Sequence, residues 1–91
     1  MAETLSDEDV EERLPSEWEL EDDEISRTYK FNDYLAGVAF ASEVGELADE
    51  AFHHPTIVIE YDTVEVRFTS HEAGGVTEQD LELAAECDAL R

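Results

Sequence analysis

The spacing of apolar positions switches between two periods along this chain, and the switches divide it into elements. Val10 and Leu14 stand one helical turn apart behind Ser6 and Asp9, a capping-box arrangement that predicts a short, solvated helix. After Pro15 the period falls to two. Trp18 and Leu20 alternate with Glu17, Glu19 and Glu21, then Ile25, Arg27, Tyr29 and Phe31 alternate with Ser26, Thr28 and Lys30. Asp22-Asp23 between these runs is the turn of an antiparallel hairpin. Asn32 or Asp33 then caps a helix over Tyr34–Phe52, because Tyr34, Leu35, Val38, Phe40, Ala41, Val44, Leu47, Ala48 and Ala51 recur at helical spacing, with Glu43, Glu46, Asp49 and Glu50 on the solvent side. His53-His54-Pro55 ends it, since proline disfavours a helical conformation at His54 and has no N–H to give the preceding turn. Period two returns in Ile57, Val58, Ile59 and Tyr61. It continues after a tight connection at Asp62, with Val64, Val66 and Phe68 alternating with Glu65, Arg67 and Thr69. A loop, Ser70–Val76, carries Gly74-Gly75 and leads to Thr77 and Asp80, whose spacing starts a last helix bearing Leu81, Leu83, Ala84, Cys87 and Leu90. Hairpins separated by a helix are accommodated around one core as an α+β fold, order α-β-β-α-β-β-α: a four-stranded antiparallel sheet with helices packed on one face. Residues 1–91 read as a single domain with an acidic leader at about 1–13.

Charge narrows the possible partners. The chain holds 26 Asp and Glu against 5 Lys and Arg, a net charge of −21. Such a polyanion is repelled by phosphate backbones and by anionic headgroups, so neither nucleic acid nor a membrane surface is an expected partner. The longest apolar run, Tyr34 to Ala41, is far shorter than the roughly 20 residues of a membrane span, and Met1–Arg13 lacks the basic start and apolar stretch of a signal peptide. A cytoplasmic location is expected. Acidity of this degree also occurs in disordered chains, but 42% hydrophobic content in periodic segments marks a folded one. The single cysteine, Cys87, has no internal disulfide partner and reads as a small core residue.

The candidate chemistry lies in three histidines, all at element junctions. His53 and His54 precede the third strand and His71 follows the fourth. If those strands pair around Asp62, positions equidistant from it lie side by side, which brings His53-His54 and His71 to the same end of the hairpin. Histidine ordinarily titrates near 6.5 and so can act as acid in one protonation state and base in the other. A three-histidine zinc site is the competing reading. Adjacent His53 and His54 would point apart in an extended segment, and no cysteine or HxH pair adds ligands.

From Asp49 the residues run Asp-Glu-Ala-Phe-His53-His54-Pro55, then Tyr61, His71 and Asp80 at set intervals. This pattern resembles the signature of the pterin-4a-carbinolamine dehydratases. The resemblance extends back through Phe40, Tyr34, Asp33 and Phe31 to Trp18 and forward through Gly75 and Thr77, covering about residues 14 to 91. It implies a cofactor-free lyase that dehydrates a 4a-hydroxytetrahydropterin, the product left by an aromatic amino-acid hydroxylase, to the quinonoid dihydropterin. Hydroxide leaves poorly unless protonated as it departs, and a proton must leave the neighbouring ring nitrogen, so one acid and one base are required. Carried over by position, His53 and His71 are the catalytic pair, in either order, and His54 shapes the pocket and holds the pterin. Thr69 and Ser70 offer groups to the pterin's amide edge. Asp80 supports the site or merely caps its helix, and Asp49 belongs to the site or to a solvated helix face. Trp18 flanks the pterin or fills the core, and for Trp18 and Tyr61 alike the core reading is preferred.

The resemblance also implies a homodimer or homotetramer, and it leaves two alternatives: a non-catalytic module that serves as a dimerisation partner of a regulator, or a dehydratase acting on another pterin, such as a molybdenum-cofactor pterin. With Lys30 its only lysine, the scaffold is more acidic than is usual in such enzymes. That composition is the habit of proteins from salt-accumulating halophiles. In molar salt the Debye length falls to about 3 Å, and surplus negative charges stop repelling one another.

Overall fold

Alternation along the two hairpins sends one row of side chains from every strand to the same side of a sheet, and that row becomes the core. The computed structural model describes residues 3–91. Its elements in chain order are α1 (Asp7–Arg13), β1 (Glu19–Glu21), β2 (Glu24–Lys30), α2 (Tyr34–Ala51), β3 (Thr56–Ile59), β4 (Thr63–Phe68) and α3 (Glu78–Ala89). The strands form one antiparallel sheet in the order β1-β2-β4-β3, so each hairpin contributes one central and one edge strand. Register across the centre pairs Ile25 with Phe68 and Tyr29 with Val64, residues of the buried row. The opposite face presents Ser26, Thr28, Glu65 and Arg67.

Asp33 caps α2 by accepting the Ala36 N–H at 2.8 Å, and this start fixes which residues turn inward. Gly37, Phe40, Ala41, Val44 and Ala48 are the buried stripe, lying on Ile25, Tyr29, Val64 and Val66. Each large side chain in this layer contributes roughly 1.5–3 kcal/mol by leaving water. A methyl at Gly37 would stand 3.1 Å from the Val64 Cγ2, so a residue without Cβ lets the helix approach β4. From α3, Leu81, Leu83, Ala84 and Cys87 complete the core. Cys87 is fully buried, as its place in the apolar pattern predicts, and burial, then the charges of Asp88 and Glu86, pushes its thiol up to about 12.

The structure departs from the sequence reading in several places. Leu35, 74% exposed, and Tyr34, half-exposed, do not belong to the α2 core stripe. Leu35 lies two positions before Gly37, about 200° around the helix from it, which points it away from the sheet. Tyr61 is 77% exposed and not packed: β3 stops at Ile59, and the bond from Glu60 N–H to Thr63 O (2.9 Å) leaves Tyr61 at the hairpin tip. The N-terminal helix is less solvated than its acids suggest. Val10 is fully buried, Leu5 and Leu14 pack on the core, and the preceding segment is tied down by Leu5 N–H to Val76 O (2.8 Å) and by the Thr4 hydroxyl to Ala73 O (2.7 Å). That segment therefore braces the loop after β4. Among the described residues, no helix is long and apolar enough to cross a membrane.

Candidate functional site

The end of α2 decides where two of the histidines go. Phe52 caps the helix in the left-handed region (φ 51°, ψ 46°), which turns the His53 N–H back to Ala48 O at 3.0 Å. The chain then runs extended toward Pro55 and β3, so successive side chains point to opposite sides. His53 turns inward. Its ring lies parallel to Phe68, 3° between planes and 6.3 Å between centroids, and its side chain is only 14% exposed. His54 turns outward, where Nε2 meets Asp49 Oδ1 at 2.8 Å and the ring meets Phe52 edge-to-face.

His71 comes from the other arm. Beyond β4 the chain closes a small loop in which Ser70 bridges to Gly75 and the Ser70 carbonyl accepts from Ala73 and Gly74. Gly74 has φ +83°, a conformation that L side chains rarely adopt, and it turns the loop so that His71 stands exposed at its start. The hairpin register places Thr56 opposite Arg67, and continuing it sets His53 near Ser70. The Ser70 hydroxyl lies 3.5 Å from the His53 Nε2.

Beneath the histidines sits Asp80, completely buried in the first turn of α3. One of its oxygens, Oδ1, is 2.5 Å from the His53 Nε2. The other accepts the Thr77 N–H at 2.8 Å and the Ser70 hydroxyl at 2.9 Å. Because Ser70 donates to Asp80, its lone pair is left to accept from the Thr77 hydroxyl, 2.9 Å away. A buried carboxylate is tolerable only when so satisfied, and the positive end of the α3 dipole helps it. Against an ionised carboxylate, which only accepts, His53 would carry its proton on Nε2; among the described residues Nδ1 makes no hydrogen bond. This is not a nucleophile triad: Ser70 and Asp80 address the same ring nitrogen, not opposite ones.

All three histidines line one cleft of about 330 Å³, together with Thr69, Ser70, Phe52, Glu72, Ala73 and Gln79. Thr69 uses its hydroxyl on the Asp23 carbonyl at 2.5 Å, which ties the cleft to the β1–β2 turn. Asp49 is largely solvent-exposed yet reaches His54. Trp18 is elsewhere: it is buried, stands against Phe68 and Tyr29, gives its indole N–H to Asp88 at 3.1 Å, and is not part of the cleft wall. Four wall residues, Phe52, Glu72, Ala73 and Gln79, were not anticipated from sequence. Gln79 adjoins Asp80 and donates to the Ala51 carbonyl at 3.3 Å, and Phe52, which the sequence reading places only at the end of the helix, is its left-handed C-cap. The signal that could have found Phe52 is Pro55, which forces the chain to leave the helix just there.

The chain matches a family model described as pterin 4 alpha carbinolamine dehydratase over residues 3–90. That span includes α1, whereas motif spacing alone reached back only to about residue 14. A relative from Halobacterium salinarum, provisionally named a pterin-4-alpha-carbinolamine dehydratase, is 63% identical over 91 residues, covering 100% of both chains. One of the same provisional name from Natronomonas pharaonis is 49% identical over 90 residues, 99% of this chain and 98% of its own. A crystal structure described as a transcriptional coactivator/pterin dehydratase from Brucella melitensis is similar with TM-score 0.88 and 29% identity, over 94% of this chain and 96% of that one. The same fold recurs, at TM-score 0.65 and 23% identity over 80% of this chain and 84% of the other, in a pterin dehydratase-like protein described as a RuBisCO assembly factor in the alpha-carboxysome.

Proposed function

Since the chain belongs to the pterin 4 alpha carbinolamine dehydratase family, we propose that it removes water from a 4a-hydroxytetrahydropterin to give the quinonoid dihydropterin. The observation that carries this reading is the convergence of His53, His54 and His71 on one cleft, with His53 anchored from below by the buried Asp80. The C4a–O bond breaks with its electron pair going to oxygen, one histidine protonates the departing hydroxide to water, and the other takes the proton from the neighbouring ring nitrogen as the new double bond forms. His53 and His71 are the pair. Asp80 fixes the tautomer of His53, which leaves Nδ1 as the nitrogen for proton exchange. His54, steadied by Asp49, holds the pterin at the rim, and Thr69 presents backbone groups to its amide edge, while the Ser70 backbone, expected to do the same, is taken up by its own loop. Buried among core rings, Trp18 acts on the site through Phe68, which backs His53. The protein works in the cytoplasm as a homodimer or homotetramer in pterin recycling.

The test is His71→Ala, assayed spectrally with freshly generated 4a-carbinolamine in molar KCl, where the surplus charge is screened. A fall in turnover of about 100- to 10,000-fold with the fold intact is expected. Full activity in that variant refutes the assignment. A second reading, an interaction module, draws on the exposed Leu35 and Tyr61 and on the coactivator description of the Brucella relative. It gains ground if the parent protein itself leaves the carbinolamine unchanged.

A further inference from the structure

Phe52 is 86% exposed and yet holds φ 51°, ψ 46°. Neither fact accounts for the other. In the left-handed conformation a Cβ crowds the next carbonyl oxygen, so helices usually end there on glycine or asparagine, and a bulky ring is out of place. A ring facing solvent gains no burial to offset that strain. The side chain thus suits neither its backbone nor its surroundings until another molecule covers it.

Its neighbours define the chemistry of that molecule. Phe52 lines the same cleft as the three histidines. Its ring meets His54 edge-to-face at 5.7 Å and 80°, and His54 is itself held by Asp49 at 2.8 Å, so the direction of the aromatic face is set by an anchored neighbour. The cleft, about 330 Å³, fits a single small ring system and not a folded partner. Flat heteroaromatic ligands stack on such exposed rings irrespective of their edge substituents. We propose that Phe52 is a stacking platform for the bicyclic ring of the substrate. This rests on the dehydratase reading and adds to it the residue that receives the face of the pterin's pyrimidine ring.

Three variants test it, Phe52→Asn, Phe52→Leu and Phe52→Trp. Each is titrated with biopterin, a stable flat pterin, by fluorescence quenching, assayed with the carbinolamine in molar KCl, melted, and sized by light scattering. Phe52→Asn should melt higher, because asparagine accepts the left-handed turn, yet bind biopterin about tenfold more weakly. Its KM should rise in proportion, with kcat falling less. Phe52→Leu should lose affinity as Asn does, and Phe52→Trp should keep it. Undiminished biopterin binding in the Asn or Leu variant overturns the platform, as does a loss of oligomer mass with binding unchanged, which would make Phe52 an interface residue. A parent protein that neither binds biopterin nor turns over the carbinolamine overturns the dehydratase reading, and the platform falls with it. A parent that does both, with variants that lose nothing, overturns the platform alone.

Discussion

Asp80 opens α3 and Asp88 closes it, and the same side chain does different things at the two ends. At the N-terminal end the exposed N–H groups and the helix dipole favour a carboxylate, so Asp80 can be completely buried with only neutral donors, Thr77 and Ser70, on its inner oxygen. Its outer oxygen is then free to hold His53. At the C-terminal end the dipole opposes a negative charge. Asp88 is accordingly surrounded by donors from β2 and the residue before β1: the Trp18 indole and the Arg27 guanidinium at 3.1 Å, and the Tyr29 hydroxyl. Arg27 supplies the countercharge that the helix end cannot. One carboxylate is stabilised by its own helix and anchors His53 from behind the cleft. The other is stabilised by the first hairpin and fastens α3 to it.

This contrast predicts that the two positions fail differently. The largest effect belongs to Asp80→Asn. The amide oxygen can still accept from Ser70 or Thr77, so the fold should survive, but an NH₂ facing His53 forces the opposite tautomer. Turnover should then fall by about 100-fold or more, read as kcat well below the melting temperature. A variant with parental kcat would break the division of labour. Next in size is Asp88→Ala, which leaves an indole N–H, a buried phenol and a guanidinium without their acceptor. A stability loss of about 2–3 kcal/mol in salt-matched denaturant melts is expected, with kcat within about twofold of the parent. If Asp88→Ala melts like the parent, the donor cluster is not a fastening.

The two carboxylates also differ in how far the sequence exposes them. Asp80 is legible because Thr77 stands three residues before it ahead of an apolar run, a spacing that local capping requires. Asp88 is one acid among 26, two positions after Glu86 in the same helix, and nothing local separates it from a solvated residue. Its partners Trp18, Arg27 and Tyr29 lie far back in the chain, and only the sheet order β1-β2-β4-β3 brings that hairpin beneath the end of α3. The same reasoning applies elsewhere. The period switches located the elements because pleat and helix are local, and the meeting of His53 with His71 was readable because a hairpin is nearly local too. The burial of Val10, the outward turn of Leu35 and the left-handed turn at Phe52 depend on where a helix starts or stops against distant partners, which periodicity does not encode. The scarcity of lysine, in contrast, is a property of composition alone, and the relatives from Halobacterium salinarum and Natronomonas pharaonis agree with the salt-adapted reading.

The smallest effect at neutral pH sharpens the comparison at the Asp88 end. Burial, then the hydrogen bond to Asp88 and its charge, holds the Tyr29 hydroxyl well above its ordinary 10.0, and burial first, then Asp88, raises Cys87 from 9.0 to about 12. Both groups are neutral when protonated, and the unfolded chain releases these protons at lower pH than the native one does. Between pH 9 and 12 the native state therefore binds more protons than the unfolded state, and stability falls as pH rises; below about pH 9 neither group contributes a slope. Tyr29→Phe should cost about 1 kcal/mol at neutral pH, the worth of one hydrogen bond, while Trp18 and Arg27 still hold Asp88. Above pH 10 its stability curve should descend less steeply than the parent's, by about 1.4 kcal/mol per pH unit, because one of the two protons no longer differs between states. The two curves should converge with rising pH and then cross. Parallel curves from pH 9 to 12 would mean that the phenol gives up its proton alike in the folded and unfolded chain and that alkaline unfolding begins elsewhere. Crossing curves would show that the buried phenol beside Asp88 sets the alkaline limit of the fold, far from the cleft that Asp80 serves.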